Sequence, residues 1–199
     1  MRSLYDISAC MTEHRHEVLQ IQRDSSIAKS AGEIVALKAA GTCRAVALVR
    51  LGSPVHGKAL DVVCRTSVEL DQLEALWNVE VQGVDLFSTD DRIVVADMGS
   101  MPFDDAQFQA VVSCHSLEHS FDPFEALAEF ARVLAPKGQL FIEIPCQPNR
   151  LGVVTRYPSG ADRWNFGSLG TLKAALPKSL TPVNWKDHGA ILQLVAVKS

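Results

Sequence analysis

The densest run of reactive side chains is His115-Ser116-Leu117-Glu118-His119. Its H-x-x-E-H order is that of a zinc-peptidase signature. On a helix, His115 and His119 stand at i and i+4 on one face, able to hold zinc with Glu118 as base. No third ligand can be assigned, and the string follows directly on a buried apolar run, so no metal is expected. His119 offers a second chemistry, since a histidine can take the proton of a substrate hydroxyl as general base. The plain alternative is a histidine at a helix start bonded to backbone. Cys10, His14 and His16 form a looser group with no fourth ligand and read as surface residues. The loop after the first strand carries no G-x-G-x-x-G for a nicotinamide cofactor, and neither a G-x-S-x-G elbow nor a P-loop is present.

These residues have to be positioned by something, and the hydrophobic pattern supplies it. Ala59–Cys64, Val79–Val84, Ile93–Ala96, Ala110–Cys114 and Gln139–Ile144 are short apolar runs bounded by polar residues, which predicts five buried strands. Between the first two, Val68–Trp77 carries Leu70, Leu73, Leu76 and Trp77 at helical spacing. Asp122-Pro123-Phe124-Glu125 predicts a helix start, with Asp at N-cap, Pro at N1 and Glu at N3. That helix is expected to stop at Pro136-Lys137-Gly138. Residues 10–40 look helical, and 45–51 fit either a helix or a short strand. Leu169–Leu176 reads as a short helix and Ala190–Val197 as a last strand, with 146–167 irregular between. Strands alternating with helices imply a mostly parallel sheet covered on both faces, with chemistry at the carboxyl ends of its strands.

The bulk composition agrees. The chain has 199 residues, 47% hydrophobic and 21% charged, with a net charge of -4. That fits one folded domain rather than a disordered chain, and the charge gives no basic stripe for nucleic acid. We divide it into an N-terminal helical cap (1–57), a core (58–145) and a substrate-side segment with the last strand (146–199). No apolar run is long enough to span a membrane, and the N-terminus lacks a signal-peptide core. The five cysteines are scattered, odd in number and form no C-x-x-C. The expectation is a reducing, cytoplasmic setting.

Five segments, in order, resemble the motifs of class I S-adenosylmethionine-dependent methyltransferases, in particular the small "type 11" domains. Leu60-Asp61-Val62-Val63-Cys64-Arg65-Thr66-Ser67 looks like the first motif, a strand ending in D-x-G-x-G-x-G. Gly83-Val84-Asp85 looks like the acidic end of strand two, and Ala96-Asp97-Met98-Gly99-Ser100-Met101-Pro102-Phe103 like the third-strand motif. Residues 108–119 resemble the fourth strand with its loop, and Arg132-Val133-Leu134-Ala135-Pro136-Lys137-Gly138 the turn into the fifth. The resemblance covers roughly residues 58–145. It implies a Rossmann-like, doubly wound α/β fold and S-adenosylmethionine as cofactor. By resemblance Asp85 takes the ribose hydroxyls, Asp97 the adenine amino group with Met98 beside the ring, and Asp61 orders the loop around the methionine moiety. Ser113, Cys114 and His115 line the sulfonium side.

The chain departs from the pattern twice. Val63, Arg65 and Ser67 stand where the family has glycine, which allows unusual backbone angles and close approach to the cofactor. Arg65 is expected to reach the cofactor carboxylate instead. Secondly, only Leu86–Arg92 separates Asp85 from strand three, whereas a parallel crossover usually carries a helix. The usual helix between strands two and three is therefore expected to be missing, the link nearly extended and the adenosine side open. The functional expectation is methyl transfer to a small-molecule or glycan-like acceptor, with His119 as candidate base. Arg156, Tyr157, Arg163 and Trp164, after strand five, read as a place for an anionic or sugar-like substrate or as plain surface packing. The alternative is a catalytically inactive protein of the same fold that works through a protein partner.

Overall fold

A computed structural model of the chain describes residues 15–28, 43–64, 66–88, 90–148, 153–156 and 163–199. Residues 15–28 form a helix, α1. Arg44–Val49 is a second helix, α2, which settles the choice at 45–51 in favour of helix. The core then alternates: β1 (Ala59–Val62), α3 (Ser67–Trp77), β2 (Val81–Asp85), β3 (Ile93–Val95), β4 (Phe108–Cys114), a 3-10 turn (Leu117–His119), α4 (Pro123–Val133) and β5 (Leu134–Pro145). A two-residue ladder, β6 (Thr155–Arg156) with β7 (Trp164–Asn165), follows, then α5 (Leu169–Ala175), β8 (Leu180–Asp187) and β9 (Ile191–Lys198).

Seven strands form one sheet in the order β3-β2-β1-β4-β5-β9-β8. The five strands β1 to β5 pair in parallel, while β9 runs antiparallel to β5 and β8 antiparallel to β9. Side chains alternate across the sheet as strand geometry requires. Leu140, Ile142 and Ile144 of β5 join one apolar cluster with Ala126, Leu127 and Phe130 of α4. Phe141 joins the other, with Leu48 of α2 and Leu70 and Leu73 of α3. The fold is thus a mostly parallel sheet between helices, as the sequence implied.

Several boundaries differ from expectation for local reasons. The expected cap forms: Asp122 accepts hydrogen bonds from the backbone of Phe124 and Glu125, with Pro123 in the first turn. However, α4 ends at Val133 rather than at Pro136, because Leu134 turns extended and pairs with Phe108. Pro136 cannot continue a helix, and residues 135–138 bulge out, with Lys137 at φ 64°, before Gln139 resumes the ladder opposite Ala110. Segment 146–167 is not wholly irregular, since it holds the β6–β7 ladder. Strand β8 was not expected at all.

The missing crossover helix is real among the described residues. Gly83 pairs with Ile93 and Asp85 with Val95, so the chain only has to step back by two residues before β3 begins. The link is turned rather than nearly extended. Ser88 Oγ donates to the Asp90 carbonyl, and the Arg92 side chain bonds Asp90, Glu74 and Asp71 at 2.7–3.1 Å, tying the turn to α3. No described helix is long and apolar enough to cross a membrane.

Candidate active site

At the carboxyl ends of β1, β2 and β3 lies a cleft lined by Val63, Val84, Asp85, Leu86, Ala96, Asp97, Met98, His119 and Ser120. Helix α1 forms its other wall with Leu19, Gln22, Ser25 and Ser26. The empty space between them is about 570 Å³, part of it open to solvent. Five of the residues singled out in the sequence, Val63, Asp85, Asp97, Met98 and His119, therefore share one cleft.

Each wall residue is held by its element. Asp85 ends β2, is almost fully buried, and accepts the Leu86 backbone N–H at 2.6 Å. Asp97 follows β3 in a tight turn, bridging to Ser100, and its Oδ1 accepts the Gly99 N–H at 3.0 Å. Its Oδ2 is taken by Arg15 of α1, through Nε at 3.0 Å and Nη2 at 2.5 Å. Arg15 also reaches Glu125 Oε2 at 2.7 Å and lies 4.9 Å over the Phe121 ring. The Gln22 side-chain amide donates to the carbonyl of His119. Helix α1 is thus fastened to the cleft at its first residue and at its middle, and the adenosine side expected to be open is partly walled.

Val63 adopts φ 62°, the left-handed conformation that glycine adopts freely and a β-branched residue resists. Its N–H donates to Val84 at 2.6 Å, which extends the β1–β2 pairing by one residue. The backbone shape proper to a glycine at this loop is therefore kept by a valine, whose side chain lines the cleft. Nearby, Gly83 is required by packing, since a Cβ there would stand 2.6 Å from Cys64 Sγ. Arg65 lies outside the described residues.

Four predicted residues, Asp61, Ser113, Cys114 and His115, fall outside the cleft lining. Asp61 is buried within β1 and its Oδ2 has no hydrogen-bond partner. Burial, with the charges of Glu69 and Asp85, pushes its carboxyl well above the usual range. Ser113 is fully buried and shares a 2.6 Å hydrogen bond with Ser116 Oγ. His115, at φ 53°, sits between two buried carboxylates. Its Nε2 is 3.0 Å from Glu143 Oε1, and its Nδ1 is 3.6 Å from Glu118 Oε1. Burial lowers the imidazole pKa, but hydrogen bonds and charge from Glu118 and Glu143 outweigh it and lift it to about 9. Arg44 Nη1 lies 2.8 Å from the same His115 Nε2 and 3.7 Å from the Glu143 oxygen, while Glu143 Oε2 accepts from Gln193 at 2.5 Å. Burial raises the Glu143 carboxyl, yet His115 and Gln193 bring it below its usual value.

The H-x-x-E-H string does not build a helical metal site. His115 is left-handed and His119 ends a single 3-10 turn, so the two do not share a helix face. Among the described residues no group of three or more His, Cys, Asp or Glu has metal-holding geometry. Of the second grouping, Cys10 and His14 lie outside the described residues. Sequence reasoning missed Arg15, Glu143, Arg44 and Gln193. Only Glu143 left a signal, as a carboxylate inside the apolar run Phe141-Ile142-Glu143-Ile144.

A parallel sheet that continues through an antiparallel β9 lodged between β5 and β8, with acids at the ends of β2 and after β3, is a class I methyltransferase fold. Residues 58–142, a little under half of the chain, match the family model described as a methyltransferase domain. It is 32% identical over 111 residues to the O-methyltransferase cnsE of Penicillium expansum, a match that takes in 47% of this chain and 40% of that relative. The chain thus spans well under half the length of that curated relative. The fold is similar to the 1,6-didemethyltoxoflavin-N1-methyltransferase of Burkholderia thailandensis, at TM-score 0.64, 21% identity, and coverage of 93% of this chain and 90% of that one. It is also similar to the (4+2)-cyclase SpnF, at TM-score 0.60, 19% identity, and coverage of 77% and 78%.

Proposed function

We propose that the chain binds S-adenosylmethionine in the α1-covered cleft and transfers its methyl group to a small-molecule or glycan-like acceptor. The observation that carries this reading is the buried Asp85 carboxylate at the end of β2, opening on the same cleft as Asp97 and Met98. A strand-end carboxylate is the acceptor that vicinal ribose hydroxyls require. The residues present fit the nucleoside end of the cofactor. Asp85 would hold the ribose, Asp97 the adenine amino group, and Leu86, Ala96, Met98 and Leu19 the apolar ring faces. At the methionine end Val63 narrows the space that a glycine leaves. When bound, S-adenosylmethionine supplies an electrophilic methyl group on sulfonium sulfur. The protein's share is orientation and exclusion of water. His119, on the cleft wall, is the residue to take the proton of an acceptor hydroxyl.

The likeness to the O-methyltransferase cnsE and to the toxoflavin-precursor N-methyltransferase supports methyl transfer to small molecules. Calorimetric titration with S-adenosylmethionine and its demethylated product, beside Asp85→Ala, tests the reading. Micromolar binding that the variant loses supports it, and no binding to a folded protein up to millimolar ligand overturns it.

The second reading is a protein of this fold that has stopped transferring methyl groups and acts through a protein partner. Val63 in the glycine position and Arg15 on Asp97 favour it. A fold does not fix a reaction, and the likeness to a cyclase illustrates the point. Absence of cofactor binding, together with capture of a stoichiometric partner, is the result that selects this reading.

A further inference from the structure

We propose that Arg163 and Arg156 form an oxyanion subsite for the acceptor, beside the cleft, that takes a phosphate or carboxylate group. The inference rests on the methyl-transfer reading and names the acceptor's chemical class. Arg156 belongs to β6, and Arg163 directly precedes its partner strand β7. Arg156 lies 5.2 Å over the Trp164 ring, and Arg163 lies 5.8 Å over Phe121. Stacking on an aromatic face fixes the guanidinium plane and leaves its N–H edge to meet a planar or tetrahedral anion.

Three observations separate this pair from the other cations of the site. Among the described residues no carboxylate lies within ion-pair distance of either arginine, whereas Arg15, Arg92 and Arg132 are each held by acids. The Nε of Arg163 is shielded from solvent and has no hydrogen-bond partner. A buried donor without an acceptor costs stability, which a bound anion recovers. The two guanidiniums also repel each other: burial first, then the charge of Arg156, holds Arg163 below its usual pKa. An anion between them removes that repulsion.

The pair is fixed against the cleft wall. The Arg163 N–H donates to the Glu118 carbonyl at 2.8 Å, and Trp164 Nε1 donates to the Ser120 carbonyl at 2.9 Å. His119 and Ser120 of that same loop face the cleft. An anionic group held by the arginines therefore lies one loop away from the candidate base, which suits an acceptor anchored by its charge at one end and methylated at the other.

The test uses the full chain with nitrogen-15 in its arginines, following each Nε–H signal during titration with inorganic pyrophosphate and, separately, malonate at constant ionic strength. The expected result is saturable shifts of Arg163 and Arg156 at submillimolar anion, with Arg92 and Arg132 unmoved. Arg163→Gln should weaken binding about tenfold, the loss of one charge-assisted contact. Arg156→Gln, at an exposed position, should weaken it in the same direction. The tighter of the two anions names the group, phosphate or carboxylate. Uniform small shifts across all arginines, or no saturation at millimolar anion, overturn the proposal. Calorimetry with S-adenosylhomocysteine on the same sample separates the two readings. Cofactor binding without anion binding sinks the subsite alone, and anion binding without cofactor binding supports the subsite and sinks methyl transfer.

Discussion

The loops after β2 and β3 and the loop after β1 border one cleft, but they have kept different things. The first two present Asp85 and Asp97, the acids that the resemblance predicts. The third presents Val63 where the family has glycine, yet the backbone keeps a glycine-like φ of 62°. A carboxylate is a chemical requirement that packing cannot replace. A left-handed turn is a conformational one that neighbours can impose, here through the bond from Val63 to Val84 and the buried core beneath. The erosion of a fingerprint is therefore compatible with the fold beneath it.

The largest effect should come from the acid side. Asp85→Ala is expected to weaken S-adenosylhomocysteine binding by two orders of magnitude or more, as charge-assisted hydrogen bonds contribute about 1.5–3 kcal/mol each. A variant that binds like the parent by calorimetry would remove Asp85 from the site. The glycine side predicts a smaller, contrasting pair. Val62, one residue earlier and fully buried, should lose about 2 kcal/mol on Val62→Ala. Val63→Gly should stay within about 1 kcal/mol of the parent, because relief of left-handed strain offsets lost contacts and the entropy of glycine. It should also tighten cofactor binding. Urea denaturation of both variants decides this, and equal losses would mean that Val63 carries no strain.

The pH dependence of the His115 pair comes next. Its folded pKa of about 9 exceeds the ordinary 6.5, so its contribution to stability is full below pH 6.5 and fades as pH rises through about 9. The Glu143 carboxyl is lowered instead, so its share is present above 4.5 and is lost as pH falls below that value. An NMR titration of the ring should show the high value, and Glu143→Gln should bring it down towards 6.5. The smallest effect is at α1. Arg15→Gln removes two partly exposed ion pairs, for a loss of about 0–1 kcal/mol. Amide exchange over residues 15–28 should nevertheless rise, since Arg15 fastens that helix to the cleft, and unchanged exchange would mean that packing alone holds it.

The strands of the core were legible because each is a short apolar run bounded by polar residues, and the strand-end acids were legible through the resemblance of the segments that carry them. Strand β8 was not. Its Thr181, Asn184 and Lys186 are polar, Pro182 interrupts it, and it lies at the sheet edge with most side chains exposed. Its pairing comes from β9, not from its own pattern. The α4–β5 boundary was misjudged because Leu134-Ala135 continues the helical periodicity until β4 claims it. In the site, Arg15 and Asp97 are 82 residues apart and share no local pattern. Glu143 was hidden by reading as the polar member of an alternating strand. Helical spacing in H-x-x-E-H was a property of the string and not of the chain, which leaves the helical region at His115.

The short link between β2 and β3 bears on how the molecule assembles. Gly83 finds Ile93 only ten residues along the chain. Closing a loop of that size takes on the order of 10–100 ns, and the entropy cost of closure grows with length. Parallel sheets are ordinarily slow to nucleate because each pairing waits for a long crossover to come home. This sheet holds one parallel pair whose contact order is that of a hairpin, a local seed at one edge on which the longer-range pairing of β1 can then build.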